Sequence, residues 1–192
     1  MMESGRISMC CGKRLAAFSV MGNIQVPFGV VTVNLPRIAY QSKDEKEFYA
    51  RLDQMMDLAA RSLSIKRNVI STLLKNGLYP YTACYLTDFD NHFSSIGVIG
   101  MNEAGLNAQW LKAGLESEET KKFAVSVLNH MREKLIGYQM EYGNLYGLEA
   151  TPAESATFRF ARLDRERFPG SGQPDTKGTP LLYKQHQTAG GL

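Results

Sequence analysis

Three short apolar runs are spaced along the chain, and each is followed by a segment with helical periodicity. Residues 30–35 are mostly β-branched and stop at Pro36, which predicts a strand buried on both faces. Residues 93–102 (FSSIGVIGMN) predict a second buried strand, and residues 142–150 (YGNLYGLEA) predict a third. These runs are the expected centre of the fold.

The segment after the first run predicts the longest helix. Ser42 and Glu45 form the expected capping box at its start, and Gly77 and Pro80 mark its end. Apolar residues recur every three or four positions, which predicts one inward face. The predicted inward residues are Phe48, Leu52, Met55, Ala59, Leu63, Ile70 and Leu73.

The later segments predict further helices. A short one is expected near 103–111, and a long one over 118–141. The inward residues predicted for the long helix are Ala124, Val127, Leu128, Met131, Leu135 and Tyr138. Alternating charges over 159–168 favour a solvated helix face. Repeated strand–helix order is typical of an α/β fold with parallel strands.

Composition narrows the class of protein. The chain has 192 residues, 44% hydrophobic and 21% charged, as in an ordinary globular domain. A net charge of +3 without a single-sign block argues against a nucleic-acid partner. We expect no membrane association, because no apolar run approaches the roughly 20 residues of a span and no signal peptide is visible. Three cysteines do not make a disulfide framework, so a cytoplasmic location is expected.

Two adjacent cysteines, Cys10 and Cys11, lie in the stretch MCCGKRL near the N-terminus. A disulfide between neighbours is strained, and the histidines and Cys84 are not at metal-ligand spacing, so no metal site is expected. The cysteines are therefore either two small buried apolar residues or the site of one reactive sulfur. In the second interpretation Lys13 and Arg14 favour a thiolate.

The stretch after the third strand predicts a sharply defined helix start. Thr151 is a good N-cap, Pro152 suits the first helical position, and Glu154 completes a capping box. The backbone N–H groups of Ala153, Glu154 and Ser155 would then face the carboxyl edge of the sheet, where α/β folds hold phosphates. The alternative is a well-capped helix without a ligand.

Polar residues follow all three predicted strands. They are Asn34, Asn102 with Glu103, and Glu149 with Thr151. If the strands are parallel neighbours, these residues lie at one edge and point to one site. Asn34 alone is either a structural bracket or a group that faces a ligand, because a buried amide must find hydrogen-bond partners.

Four stretches together resemble a known family. GRISMCC, GVVTVNLPRIAY, FSSIGVIGMNEAGLNA and YGNLYGLEATPAESATFRFARLDRERFPG occur in this order and resemble the catalytic subunit of the anaerobic (class III) ribonucleotide reductases. The resemblance covers about residues 4–180. It implies that the chain is part of a ten-stranded α/β barrel related to the glycyl-radical enzymes, with residues 1–170 in the partial barrel and 171–192 as a loop and tail.

The resemblance also implies roles for individual residues. Cys11 matches the cysteine that becomes a thiyl radical and takes the ribose 3′-hydrogen, after which the 2′-hydroxyl leaves; Cys10 is its variable neighbour. The family reads C-C-R or G-C-R where this chain reads CCGKR. Asn34 matches an asparagine that looks towards the ribose, and Asn102 and Glu103 match a segment near the substrate. The ATPAES helix start resembles the site of the substrate phosphates.

For the full-length enzyme the resemblance implies a glycyl radical, structural zinc, nucleotide effectors, a radical-SAM activating enzyme and a homodimer. Neither the R-V-x-G-Y glycyl motif nor a cysteine quartet for zinc occurs in this sequence, so no cofactor is expected within it. The expected function is therefore that of a segment of a ribonucleoside-triphosphate reductase. The alternatives are a catalytically inactive nucleotide- or partner-binding fragment, and an unrelated phosphate-binding α/β protein.

The tail departs from the family pattern. After GTP the family reads YYTNSTxLPV, whereas this chain reads LLYKQHQTAGGL. One permitted coding of these residues, read one base later, encodes YYTNSTRLPV. We hypothesise a one-base frameshift after Pro180, genuine or a sequencing error, and predict that residues 181–192 have no selected structure.

Overall fold

A computed structural model describes residues 27–151, 154–169 and 171. Its centre is a parallel sheet of three strands in the order β1 (Pro27–Asn34), β2 (Phe93–Ile99) and β3 (Tyr146–Ala150). The three predicted strands are thus present and parallel. The observed first strand starts earlier and ends at Asn34, because the chain turns directly into a helix.

Six helices occur in the part of the chain that the structure describes. They are α1 (Leu35–Gln41), α2 (Glu45–Lys75), α3 (Pro80–Ala83), α4 (Met101–Asn107), α5 (Glu118–Tyr142) and α6 (Glu154–Arg167). The long helices match the prediction within a few residues. The short α4 begins two residues earlier than predicted, and α1 was not predicted at all.

The start of α2 differs from the predicted capping box. Asp44 is the N-cap, and its carboxylate accepts the backbone N–H of Glu47 at 2.7 Å. Ser42 instead follows α1, and its Oγ donates to the backbone carbonyl of Ile38 at 2.7 Å. The prediction was wrong because Ser42 is needed by the preceding helix, and Asp44 is an equally good N-cap two residues later.

The buried face of α2 follows the predicted periodicity in its first half. Phe48, Leu52, Ala59 and Leu63 are buried, but Met56 occupies the inward position predicted for Met55, which is 42% exposed. Further along, the inward positions are taken by Arg67 and Leu74, whereas Ile70 and Leu73 are half-buried. On α5 the predicted inward residues are buried except Leu128, which is half-buried.

The two faces of the sheet are built differently. Val31, Val33, Ile96 and Leu148 face the apolar core formed with α2 and α5. The opposite face of β1 is less covered, since Val30 is 39% exposed. The prediction that the first strand is buried on both faces is therefore wrong, whereas the central strand β2 is buried along most of its length.

No helix in the described ranges is long and apolar enough to cross a membrane.

Candidate functional site at the carboxyl edge of the sheet

The carboxyl ends of the strands lie side by side. The register pairs Asn34 with Ile99 across β1 and β2, and Val98 with Ala150 across β2 and β3. Residues that follow the strands consequently lie at one edge of the sheet. The strands are parallel neighbours, which is the arrangement that the predicted common site requires.

Asn34 is engaged on both sides of its amide. Its Oδ1 accepts the backbone N–H of Arg37 at 3.3 Å, which caps α1. Its Nδ2 donates to Oδ2 of Asp164 at 2.7 Å. These bonds match the structural-bracket alternative. They use one of the two amide hydrogens, so the predicted role towards the ribose stays a prediction.

Asp164 is a residue that sequence reasoning missed. It lies within the charged stretch predicted to be solvated, yet it is only 1% exposed. Its Oδ1 accepts Nε of Arg37 at 2.6 Å and also forms an ion pair with Nη2 of the same guanidinium. The prediction holds for the neighbours Arg162 and Glu166, whose side chains are exposed. It was wrong for Asp164 because a half-buried cationic partner, Arg37, satisfies the carboxylate.

A row of three positions crosses the sheet on the face opposite the apolar core. The register aligns Thr32 of β1 with Gly97 of β2 and Glu149 of β3. Side chains alternate along a strand, so this row lies opposite Ile96 and Leu148. The row therefore places a hydroxyl, a glycine without a side chain and a carboxylate next to one another.

The side chain of Thr151 lies over Gly97, the middle position of this row. A Cβ placed on Gly97 would lie 1.7 Å from Oγ1 of Thr151, and 3.4 Å from Oγ1 of Thr32. Any side chain at Gly97 would therefore displace the Thr151 hydroxyl. The glycine serves here to let another residue approach the strand.

Several buried oxygens at this place have no hydrogen-bond partner within the described part of the chain. They are both carboxylate oxygens of Glu149, Oγ1 of Thr151 and Oγ of Ser95. Glu149 is 2% exposed. A buried polar group without a partner is costly, and these oxygens are free to accept hydrogen bonds from donors outside the described residues.

Asn102 and Glu103 occupy the first turn of α4. Oδ1 of Asn102 accepts the backbone N–H of Leu115 at 3.0 Å, and its Nδ2 donates to Oε1 of Glu103 at 3.3 Å. Glu103 is 5% exposed, and its Oε2 has no partner among the described residues. Asn102 thus holds the segment before α5, and the role of both residues near a substrate stays a prediction.

The remaining predicted residues are only partly described. Glu154 begins α6, and Ser155 is exposed in its first turn. Cys10, Cys11 and Ala153 lie outside the described residues, as does the tail 181–192. Across the described ranges no group of three or more His, Cys, Asp or Glu side chains could hold a metal ion.

Comparison with known proteins gives consistent matches. The family described as anaerobic ribonucleoside-triphosphate reductase matches residues 1–187. The enzyme of that name from Haemophilus influenzae is 32% identical over an alignment of 155 residues, and the match covers 73% of this chain and 22% of the relative. The Salmonella typhimurium enzyme is 30% identical, with the same shares covered. The chain thus spans about a fifth of the length of these curated relatives.

Solved structures give the same result. A crystal structure of the anaerobic ribonucleotide reductase from Thermotoga maritima, with glycerol in the active site, superimposes with a TM-score of 0.68 at 29% identity. It matches 78% of this chain, which covers 26% of that structure. Another structure of that enzyme, with dATP in the specificity site, gives a TM-score of 0.69 at 30% identity. The chain belongs to the anaerobic ribonucleoside-triphosphate reductase family.

Proposed function

We propose that this chain forms the part of a reductase barrel that binds the ribose and phosphates of a ribonucleoside triphosphate. The observation that carries the proposal is the group of buried, unpartnered oxygens on Glu149 and Thr151 beside Gly97. Ribose hydroxyls are hydrogen-bond donors, and a buried carboxylate is their strongest acceptor among side chains. Glu149 thus accepts a ribose hydroxyl, and Thr151 supplies a second contact.

The phosphates bind at the start of α6 in this proposal. The helix runs for 14 residues from Glu154, only three positions after Thr151, so in this proposal its first N–H groups lie near the same edge of the sheet. Backbone donors and the helix dipole at such a terminus stabilise anions. Ser155, exposed in the first turn, adds a hydroxyl for a phosphate oxygen. The ribose and phosphate groups are then held by residues that lie close together in sequence, Glu149, Thr151 and Ser155.

The chemical step belongs to the longer polypeptide. In the proposal the Cys11 sulfur takes the ribose 3′-hydrogen, Cys10 is its neighbour, and Asn34, Asn102 and Glu103 line the substrate. The glycyl radical that supplies the unpaired electron lies elsewhere in the family enzyme, since the R-V-x-G-Y motif is not among these 192 residues. The effectors, activating enzyme, homodimer and cytoplasmic location belong to that enzyme as well.

The lack of the R-V-x-G-Y motif in this sequence also supports the second candidate, a catalytically inactive nucleotide- or partner-binding fragment. The described sheet has β1 and β3 as its outer strands, and the family barrel continues the sheet beyond them in this proposal. By itself the chain then binds a nucleotide but reduces none. The two candidates share the binding site and differ only in whether the rest of the polypeptide is supplied.

Calorimetric titration of the chain with CTP tests the binding site. We expect the Glu149→Gln variant to bind at least about tenfold more weakly, because an acceptor of charge-assisted hydrogen bonds is lost. Glu166→Gln, at an exposed position of α6, is the control and should bind as the unmodified chain does. Absence of CTP binding, or equal binding by Glu149→Gln, would contradict the proposal.

Substitution of glycine gives an independent test. Gly97→Ala should weaken CTP binding by displacing the Thr151 hydroxyl, whereas Gly137→Ala on α5 meets no atom within 4 Å and should leave binding unchanged. Equal affinities for the two alanine variants would show that the position of Thr151 does not matter for the nucleotide.

A further inference from the structure

Among the charged residues 159–167 of α6, Asp164 is the most deeply buried. It is 1% exposed in a stretch whose neighbours Arg162, Arg165 and Glu166 are exposed. Aspartate is almost never buried to this extent unless a partner compensates its charge. The groups that bind the Asp164 carboxylate must therefore account for its burial.

The carboxylate joins three elements that are distant in sequence. Oδ2 accepts Nδ2 of Asn34 at the end of β1, and Oδ1 accepts Nε of Arg37 in α1 at 2.6 Å. The Asn34 and Asp164 positions are 130 residues apart. Both bonds involve the charged carboxylate, and the bond to arginine is charge-assisted on both sides.

Apolar contacts alone hold α6 weakly. Among the described residues, the apolar cluster that involves this helix consists of Ile99 and Ala161 with the partly buried Phe160. Apolar contacts are not directional, so a cluster this small does not fix the rotation or the axial position of a helix. Hydrogen bonds of defined geometry do fix them.

We infer that Asp164 is a positioning residue that fixes the Asn34 amide and α6 relative to each other. The carboxylate accepts one amide hydrogen of Asn34 while the amide oxygen accepts the Arg37 N–H, so the amide plane has one orientation. The direction of the second amide hydrogen is then fixed as well. The benefit for nucleotide binding rests on the proposed function, whereas the positioning itself does not.

The test uses NMR spectroscopy of the 15N-labelled chain and its Asp164→Asn variant. We expect the side-chain amide signals of Asn34 to shift and amide hydrogens of α6 to exchange about tenfold faster or more, while α5 exchange is unchanged. Glu166→Gln is the matched control on the same helix and should alter neither readout. Unchanged Asn34 signals with unchanged α6 exchange would overturn the inference.

A second variant decides the test if Asp164→Asn destabilises the whole fold. If Asp164→Asn accelerates exchange in α5 as well, Arg37→Gln decides, because it removes the cation but keeps the Asn34–Asp164 bond. Faster exchange confined to α6 supports the positioning role, and unchanged exchange in α6 overturns it. CTP titration of the same proteins separates the two proposals: absence of binding by the unmodified chain refutes the nucleotide site only, and the NMR readouts still decide on Asp164.

Discussion

Arg67 connects α2 to the segment that leads into β2. Its side chain is 5% exposed, and its guanidinium donates to the backbone carbonyls of Phe89 at 2.7 Å and His92 at 2.6 Å. A third bond reaches Oγ of Ser94 at 3.3 Å, and the group lies 4.7 Å from the ring centroid of Phe28. One side chain therefore fixes the entry to the central strand.

Replacing Arg67 by methionine keeps an unbranched apolar stem but removes every donor. Each hydrogen bond from a charged group contributes about 1.5–3 kcal/mol, so losing the two short bonds costs roughly 3–6 kcal/mol. Burial lowers the pKa of the Arg67 guanidinium, because desolvation disfavours the charged form. This desolvation offsets part of the stabilisation that the hydrogen bonds provide. We therefore expect a loss near the lower end, about 3 kcal/mol of unfolding free energy.

Urea denaturation followed by circular dichroism measures this loss directly. For a chain of this length about 3 kcal/mol lowers the melting temperature by roughly 6–12 °C. The control is Arg61→Met, at an exposed position of the same helix, which should change stability by less than about 0.5 kcal/mol. If Arg67→Met and Arg61→Met have equal stability, the carbonyl contacts of Arg67 contribute nothing and the reasoning is wrong.

Three further predictions concern the described helices and strands. Met56→Ala should lower the unfolding free energy by about 2–5 kcal/mol, and Met55→Ala by far less; equal losses in urea denaturation would contradict the observed inward face of α2. Asp44→Ala should cost about 1 kcal/mol in the same assay and Asp44→Asn little, because asparagine also caps helices; a harmless alanine would exclude this cap. Burial raises the pKa of Tyr146 from 10.0 to about 12, so the neutral phenol is favoured in the folded chain. Stability should be retained below pH 10 and fall between these two values, less steeply in Tyr146→Phe; identical alkaline profiles would refute this.

The strands and long helices could be predicted because their signals are local. A β-branched run or a 3.6-residue periodicity depends only on residues close together in sequence, and both patterns correspond to strands and helices in the structure. The helix α1 was missed because Pro36 was interpreted only as the end of a strand. Asn34 followed by proline at the second helical position is also the signal of a helix start, and Asn34 does cap that helix.

The site was harder to predict, because its contacts join distant parts of the chain. The charge alternation around Asp164 suggested solvent, yet Thr157, Ala161 and Asp164 share one buried helix face at spacings of four and three. Helical periodicity could have placed Asp164 inward. The partner Arg37, 127 residues away, could not have been found from the sequence without knowing that α6 crosses the end of β1.

The difference between the two faces of the sheet bears on where function lies. The row Val31, Ile96 and Leu148 is apolar and packs against helices, as any stable α/β unit requires. The adjacent row contains a glycine and a glutamate whose carboxylate is buried without a partner among the described residues. An apolar residue would stabilise the fold more at the position of Glu149. The stability lost there has no structural compensation among the described residues, as the proposed function expects of a residue that accepts a ribose hydroxyl.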